Sequence, residues 1–135
     1  MLIDDGLELL DEAECKTLLA QGSLGRVGMT AGALPVILPV NYSVVDGDVV
    51  FRTGEGTKLR ASRDGAVVAF EVDSYDVAAG TGWSVLAVGR AREITDAEEL
   101  DRCRALGLAP WADGERTSFV RMHPEVLTGR RIPER

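Results

Sequence analysis

The sequence holds one histidine and two cysteines in 135 residues. A single imidazole, His123, excludes any metal site built on a histidine pair, and no grouping of cysteine with histidine has ligand spacing. His123 precedes Pro124 at a strand end and reads as a structural or exposed residue rather than an axial haem ligand. Cys15 and Cys103 fall in segments of helical pattern, and nothing suggests a disulfide between them. Ser23, Ser84 and Ser118 have no evident base partner, which removes support for hydrolysis by a serine nucleophile. Positive charge is also in deficit. Fifteen Lys and Arg against 22 Asp and Glu leave a net charge of −7, which argues against a general binder of nucleic acid or of anionic membranes. No apolar run approaches the length of a membrane span. The opening, MLIDDGLELLDEAE, is acidic and lacks a basic n-region, so it does not read as a signal peptide and a cytoplasmic protein is expected.

What is present is an ordinary globular composition, 45% apolar and 27% charged, in a length that fits one domain over residues 1–135. The most informative stretch is residues 38–58, LPVNYSVVDGDVVFRTGEGTK. Asp46-Gly47 between two β-branched runs is a strong hairpin signal, because both turn residues must tolerate positive φ. A two-residue turn pairs positions that sum to 93, so Val45 faces Asp48, Tyr42 faces Phe51, Asn41 faces Arg52 and Val40 faces Thr53. Cross-strand partners share a face. Val40, Tyr42, Val44, Val49, Phe51 and Thr53 form a core face. Asn41, Ser43, Val45, Asp48, Val50 and Arg52 form a mixed face, suited to a ligand or a subunit contact.

The first arm of the hairpin spans Leu34–Val45, and four further strand segments follow from alternation or apolar runs: Ser23–Thr30, Ala66–Asp73, which its apolar run marks as buried, Trp83–Ile94 and Thr117–Met122. Pro35 and Pro39 cannot donate to a ladder, which places their strand at an edge or beside bulges. Asp11 with Glu14, and Thr95 with Glu98, resemble capping boxes for helices through about Ala20 and Leu106. Residues 1–10 read as an extended lead-in, 74–82 as a polar loop, and the tail after Met122 as turn-rich and basic. Six strands with short turns and peripheral helices predict a mainly β fold, an antiparallel barrel.

The second hairpin strand runs into Gly54-Glu55-Gly56-Thr57-Lys58, with Thr57 a good N-cap and Gly65 a good residue just past a helix end. Free N–H groups at a helix start, with Lys58 in its first turn and Arg52 at the strand end, suit a phosphate. Arg52, Lys58, Arg60 and Arg63 against Glu55 make a local basic island in an acidic chain. An ordinary strand-to-helix connection with solvated charges reads the same residues equally well. Trp83 and Trp111 could stack on a planar ring or serve as core and interface residues. Glu71 and Asp73, two apart on one strand, read as a solvated face, and no residue stands out as a general acid or base.

Phe51-Arg52-Thr53-Gly54-Glu55-Gly56-Thr57-Lys58, preceded by Leu38-Pro39-Val40-Asn41-Tyr42 and followed by Gly82-Trp83-Ser84-Val85 and Val88-Gly89-Arg90-Ala91, resembles the flavin-binding split barrels of the pyridoxamine 5′-phosphate oxidase-like superfamily. The resemblance implies a six-stranded split β-barrel with flanking helices. It implies an FMN phosphate held by Thr57 and Lys58 with Arg52 and Thr53 at the strand end, and a flavin ring along the backbone of Pro39, Val40 and Asn41. Trp83 and Ser84 would contact that ring from the neighbouring subunit of a homodimer. The implied activity is that of a flavin-dependent oxidoreductase acting on an unidentified small molecule. A flavin carrier without turnover, an F420-dependent reductase and a haem-handling split barrel are the alternatives. The chain is short and lacks the long C-terminal segment of true pyridoxamine phosphate oxidases, so that reaction itself is not implied.

Overall fold

The computed structural model describes residues 2–54, 65–110 and 117–133. Nine strands and two helices occupy them: β1 (Leu2–Asp4), β2 (Leu7–Leu9), α1 (Glu12–Gln21), β3 (Leu24–Ala31), β4 (Leu34–Val45), β5 (Asp48–Gly54), β6 (Val67–Asp76), β7 (Thr81–Glu93), α2 (Ala97–Arg104), β8 (Thr117–Met122) and β9 (Val126–Arg131). The expected turn forms, with φ of 51° at Asp46 and 83° at Gly47. From it the strands pair Tyr42↔Phe51, Ser43↔Val50, Val44↔Val49 and Val45↔Asp48, in the register the sequence predicts.

Six strands close into a ring, β7-β6-β3-β4-β5-β8, because β7 pairs with β8 as well as with β6. This is the antiparallel split barrel that the sequence predicts. β9, β2 and β1 extend the sheet outward from β7 and lie outside the ring. Those three strands were not expected from the lead-in and the tail. Three residues, LID or LEL, are too few to show a period. The clue lay in Asp5-Gly6, a second Asp-Gly pair whose φ values, 50° and 80°, repeat those at residues 46 and 47.

The ring is filled from one face of each strand. Val27, Val49, Phe51, Val68, Phe70, Val85, Ala87, Val120 and Met122 are buried there. Burying one such side chain contributes about 1.5–3 kcal/mol, and the T-shaped Tyr42–Phe70 pair, 4.8 Å between centroids, adds orientation. Asp11 caps α1 as expected, its Oδ1 accepting from the Glu14 amide at 2.8 Å. The helix then buries Cys15 and Leu19 against the barrel and β9.

Several expectations are corrected. The second helix is capped by Asp96, which accepts from Glu99 N, one residue later than the expected Thr95–Glu98 box. Residues 74–82 are mostly strand, with pairing carried on to Asp76↔Thr81. The run Val67–Asp76 alternates, with Val68, Phe70 and Val72 buried and Val67 exposed, so β6 is covered on one face only. The mixed hairpin face is not bare either. Val50 lies in a second core with Ile94, Cys103 and Phe119, closed by Leu100, Leu106 and Leu108 from α2 and its exit. A helix therefore takes the place expected for a ligand or a second subunit. The expected helix after Thr57 lies outside the described residues, as does Trp111; Gly65, at its far end, has φ of 67°.

Candidate functional site

The barrel splits where β4 and β5 diverge. β4 pairs with β5 only through residues 42–45, and with β3 through residues 34–41 in one unbroken register. β5 continues past Phe51 on β8 alone, with Arg52↔Phe119, Thr53↔Ser118 and Gly54↔Thr117. Among the described residues, 34–41 are thus an edge on the side away from β3, as Pro35 and Pro39 require, and no bulge interrupts the β3–β4 ladder. An edge strand presents alternate main-chain donors and acceptors. Pro39, Val40 and Asn41 stand on one arm of the fork, and Arg52 and Thr53 on the other. The Val40 side chain is buried, so that residue offers the fork only its main chain.

The crotch of the fork is tied down. Asn41 Nδ2 donates to the Ala109 carbonyl at 2.8 Å and Arg52 Nη1 donates to the Leu108 carbonyl at 2.9 Å. The Arg52 guanidinium also lies over the Phe119 ring, 5.3 Å from its centroid. Both side chains expected at the ligand therefore hold the exit of α2 across the strand ends. Thr57 and Lys58 lie outside the described residues.

Trp83 and Ser84 stand elsewhere. From Asn41 on β4 to Ser84 on β7 is three strand spacings, roughly 14 Å. The two neighbours also point to opposite faces. Trp83 packs against the main core, whereas Ser84 faces outward. Ser84 lines a cavity of about 340 Å³ with Leu7, Glu71, Asp73, Tyr75 and Arg130. Burial, and then the Asp73 carboxylate beside it, push the Glu71 carboxyl up to about 7, against the pull of Arg26. Of the strand pair expected to be a solvated face, Asp73 is exposed and Glu71 is half-buried. Arg26 is exposed, with its Nη1 3.8 Å from Glu71 and 3.7 Å from Asp73.

Two further features escaped the sequence. The first is a row across five strands of the outer sheet face. Ile37 pairs with Gly28, Gly28 with Ala69, Ala69 with Val88 and Val88 with Val126. Ile37 is 72% exposed and Val126 51%. The second is a chain of charges through Arg92, Glu99, Arg121, Asp48 and His123. It fixes His123 at the rim of a groove of about 630 Å³ lined by Lys16, Val44, Gly47, Pro124 and Leu127, none of them expected to bind a cofactor. Alternation would have revealed the apolar row had the strand order been known. The charge chain has no local signature.

Comparison with known proteins agrees with this architecture. A family model described as pyridoxamine 5′-phosphate oxidase matches residues 11–131. An uncharacterised protein of Mycobacterium tuberculosis is 44% identical over 128 residues, covering 91% of this chain and 84% of its own length. The crystal structure of an FAD binding protein from Mycobacterium smegmatis superposes with a TM-score of 0.76 at 38% identity, covering 93% of this chain and 100% of that one. A structure from Corynebacterium glutamicum gives a TM-score of 0.79 at 29% identity over 99% of both chains. Among the described residues no helix is long and apolar enough to cross a membrane, and no group of side chains is placed to hold a metal ion. With its fork, its six-stranded ring and these relatives, the chain belongs to the pyridoxamine 5′-phosphate oxidase family of split barrels.

Proposed function

We propose that this chain is a flavin-dependent oxidoreductase that binds FMN in the β4–β5 fork and works as a homodimer on a small-molecule substrate. The observation that carries the reading is the open main-chain edge of residues 34–41 facing the end of β5. A flavin ring carries donors and acceptors along its pyrimidine edge, and the backbone of Pro39, Val40 and Asn41 suits that edge. Thr53 and Gly54 lead from the fork towards Thr57 and Lys58, which take the phosphate, with Arg52 assisting from the strand end. When bound, the flavin supplies the redox chemistry. The protein supplies the phosphate anchor, the ring's hydrogen bonds and a dry wall.

The homodimer rests on the apolar row of the outer face, which a second copy would cover. Ser84 then reaches the neighbour's cofactor from that face, while Trp83 supports it from the core side. The FAD binding relative favours a flavin over haem and makes FAD a second candidate cofactor beside FMN. F420 and a carrier role without turnover are the remaining alternatives.

The test is titration with FMN, FAD, F420 and riboflavin, followed by absorption and calorimetry. A charge-assisted bond to an anion contributes on the order of 1.5–3 kcal/mol, so Lys58→Ala should weaken FMN roughly ten- to a hundredfold. Riboflavin, which lacks the phosphate, should bind weakly and equally to both proteins. Equal losses for FMN and riboflavin would make Lys58 a support of the fold. No flavin spectrum under any condition would overturn the reading, and a bound flavin that NAD(P)H and other reductants leave unbleached would favour the carrier.

A further inference from the structure

The β4–β5 ladder ends at Tyr42↔Phe51, and the next residue on each arm, Asn41 or Arg52, reaches a third element instead. Asn41 Nδ2 donates to the Ala109 carbonyl and Arg52 Nη1 to the Leu108 carbonyl, two consecutive acceptors on the exit of α2. At 2.8 and 2.9 Å both bonds have ordinary lengths. The main chains of the two residues pair away from the fork, Asn41 with Leu24 on β3 and Arg52 with Phe119 on β8. Residues 108 and 109 therefore form a strap that stands in for the missing rung between the arms.

The strap is itself fixed. Gly107, with φ of 70°, carries the chain out of the last helical turn, and the Leu106 amide donates to the Cys103 carbonyl at 3.0 Å. Leu106 and Leu108 pack against the second core of Val50, Ile94, Cys103 and Phe119. At its other end α2 is held by Glu99, which accepts from Arg92 and from Arg121 at 3.1 Å each. The second core thus sets where the strap lies, and the strap sets how far the arms stand apart. Asn41 belongs to both parts, with its main chain on the free edge of β4 and its side chain on the strap.

We infer that the exit of α2 gauges the width of the fork, and that Asn41 and Arg52 are positioning residues that hold the two arms at one spacing for the ring of the cofactor. The inference rests on the flavin reading for the identity of that ligand alone. It divides the site into two duties: Lys58 acts on the phosphate, whereas the strap acts on the ring. A site whose supporting contacts are loosened loses its fit to everything that shares the ring, so every flavin should weaken alike.

Asn41→Asp tests this, because it puts an acceptor of the same shape against the Ala109 carbonyl. Arg52→Met removes the second tie and keeps the side chain's length. Val68→Ala, in the main core on β6, destabilises the fold without touching the strap. In calorimetric titrations, FMN and riboflavin should both bind Asn41→Asp roughly tenfold more weakly, and Val68→Ala should stay within about twofold of wild type. One strap carries both ties, so the double variant should lose no more riboflavin affinity than the weaker-binding single variant. Riboflavin serves here because it has no phosphate for Arg52 to assist. Hydrogen exchange of the unliganded proteins reads the strap without any flavin. In Asn41→Asp the amides of residues 106–109 and those of 34–41 should exchange about tenfold faster, with β6 unchanged. A loss confined to FMN, additive losses in the double variant, an equal loss in Val68→Ala, or unchanged exchange in either segment would each overturn the inference. A wild type that binds no flavin defeats the flavin reading, and the exchange pattern then decides whether the strap joins the arms.

Discussion

Asp48 joins three parts of the chain through one carboxylate. Its Oδ2 lies 2.6 Å from Arg121 Nε and its Oδ1 2.6 Å from His123 Nδ1. Arg121 also donates to Glu99 at 3.1 Å and to the Val45 carbonyl at 3.2 Å, so β4, β5, α2 and β8 meet at one guanidinium. Burial alone would raise the Asp48 carboxyl. The hydrogen bonds from Arg121 and His123 outweigh it and hold the group below the usual carboxylate range. Side-chain exposure of 16% for Arg121 and 17% for Asp48 keeps solvent screening small. Asp48→Asn leaves the guanidinium half paired and should cost on the order of 2–4 kcal/mol at pH 7. A carboxylate whose folded pKa is depressed stabilises above its unfolded value, near 4, and loses that contribution as pH falls through the folded value. Urea unfolding at pH 7 and pH 3 should therefore show a smaller acid-induced loss in the variant than in the wild type. Equal slopes would mean that the pair contributes nothing to stability. Sequence reading placed Asp48 only as a face residue opposite Val45. Its partners lie up to 75 positions away, and no local pattern joins them.

At the scale of elements, legibility followed length and turn chemistry. β4 and β5 were readable to the residue between the turn and Tyr42↔Phe51, because an Asp-Gly turn fixes register and alternation fixes the face. The expected Asn41–Arg52 and Val40–Thr53 pairs do not form, since the strands part there and Arg52 and Thr53 pair with β8. α1 was readable through its cap, whereas α2 shifted by one because Thr95 and Asp96 are both good caps and only tertiary packing selects between them. The change of partner along β7 was not readable. β7 pairs with β9 through Val88↔Val126 and with β8 from Ala91↔Met122. Between them lies Gly89, where an added Cβ would overlap the His123 carbonyl oxygen and stand 3.0 Å from Met122 Sδ. This close approach lets one strand serve both the ring and its extension. Gly89→Ala must move backbone and should cost about 3 kcal/mol or more. Gly28→Ala is the control, since its nearest neighbour would be Ala69 Cβ at 3.7 Å, an ordinary contact, and it should change stability by less than about 1 kcal/mol. Thermal unfolding of both variants decides whether the corner is as tight as its geometry requires; similar midpoints would show that it can relax.

At the scale of the whole molecule, the closed ring has one sheet face over which no layer lies among the described residues. α2 covers the hairpin and α1 packs on β9, β4 and β7, but the face bearing Ile37, Gly28, Ala69, Val88 and Val126 meets solvent. An apolar row four strand spacings wide, roughly 19 Å, is larger than the scattered exposed side chains of a typical monomer surface. The flanking row, Pro39, Arg26, Glu71 and Leu86, carries both signs of charge. A face of that kind can meet its own copy about a two-fold axis with cations opposite carboxylates. The net charge of −7 per chain opposes association at long range, but physiological salt screens it beyond about 8 Å. The wild type should therefore sediment at twice its 14.5 kDa at micromolar concentration in 0.15 M salt. Ile37→Asp with Val126→Asp places charges at both ends of the row, at positions exposed in the single chain. The monomer should keep its circular dichroism spectrum. Each unpaired charge buried in the contact costs about 3–5 kcal/mol, so the dimer should weaken more than about a hundredfold and the variant should sediment at 14.5 kDa. A wild-type monomer would remove the outer face as a subunit contact, and a variant that remained dimeric would move that contact to another surface.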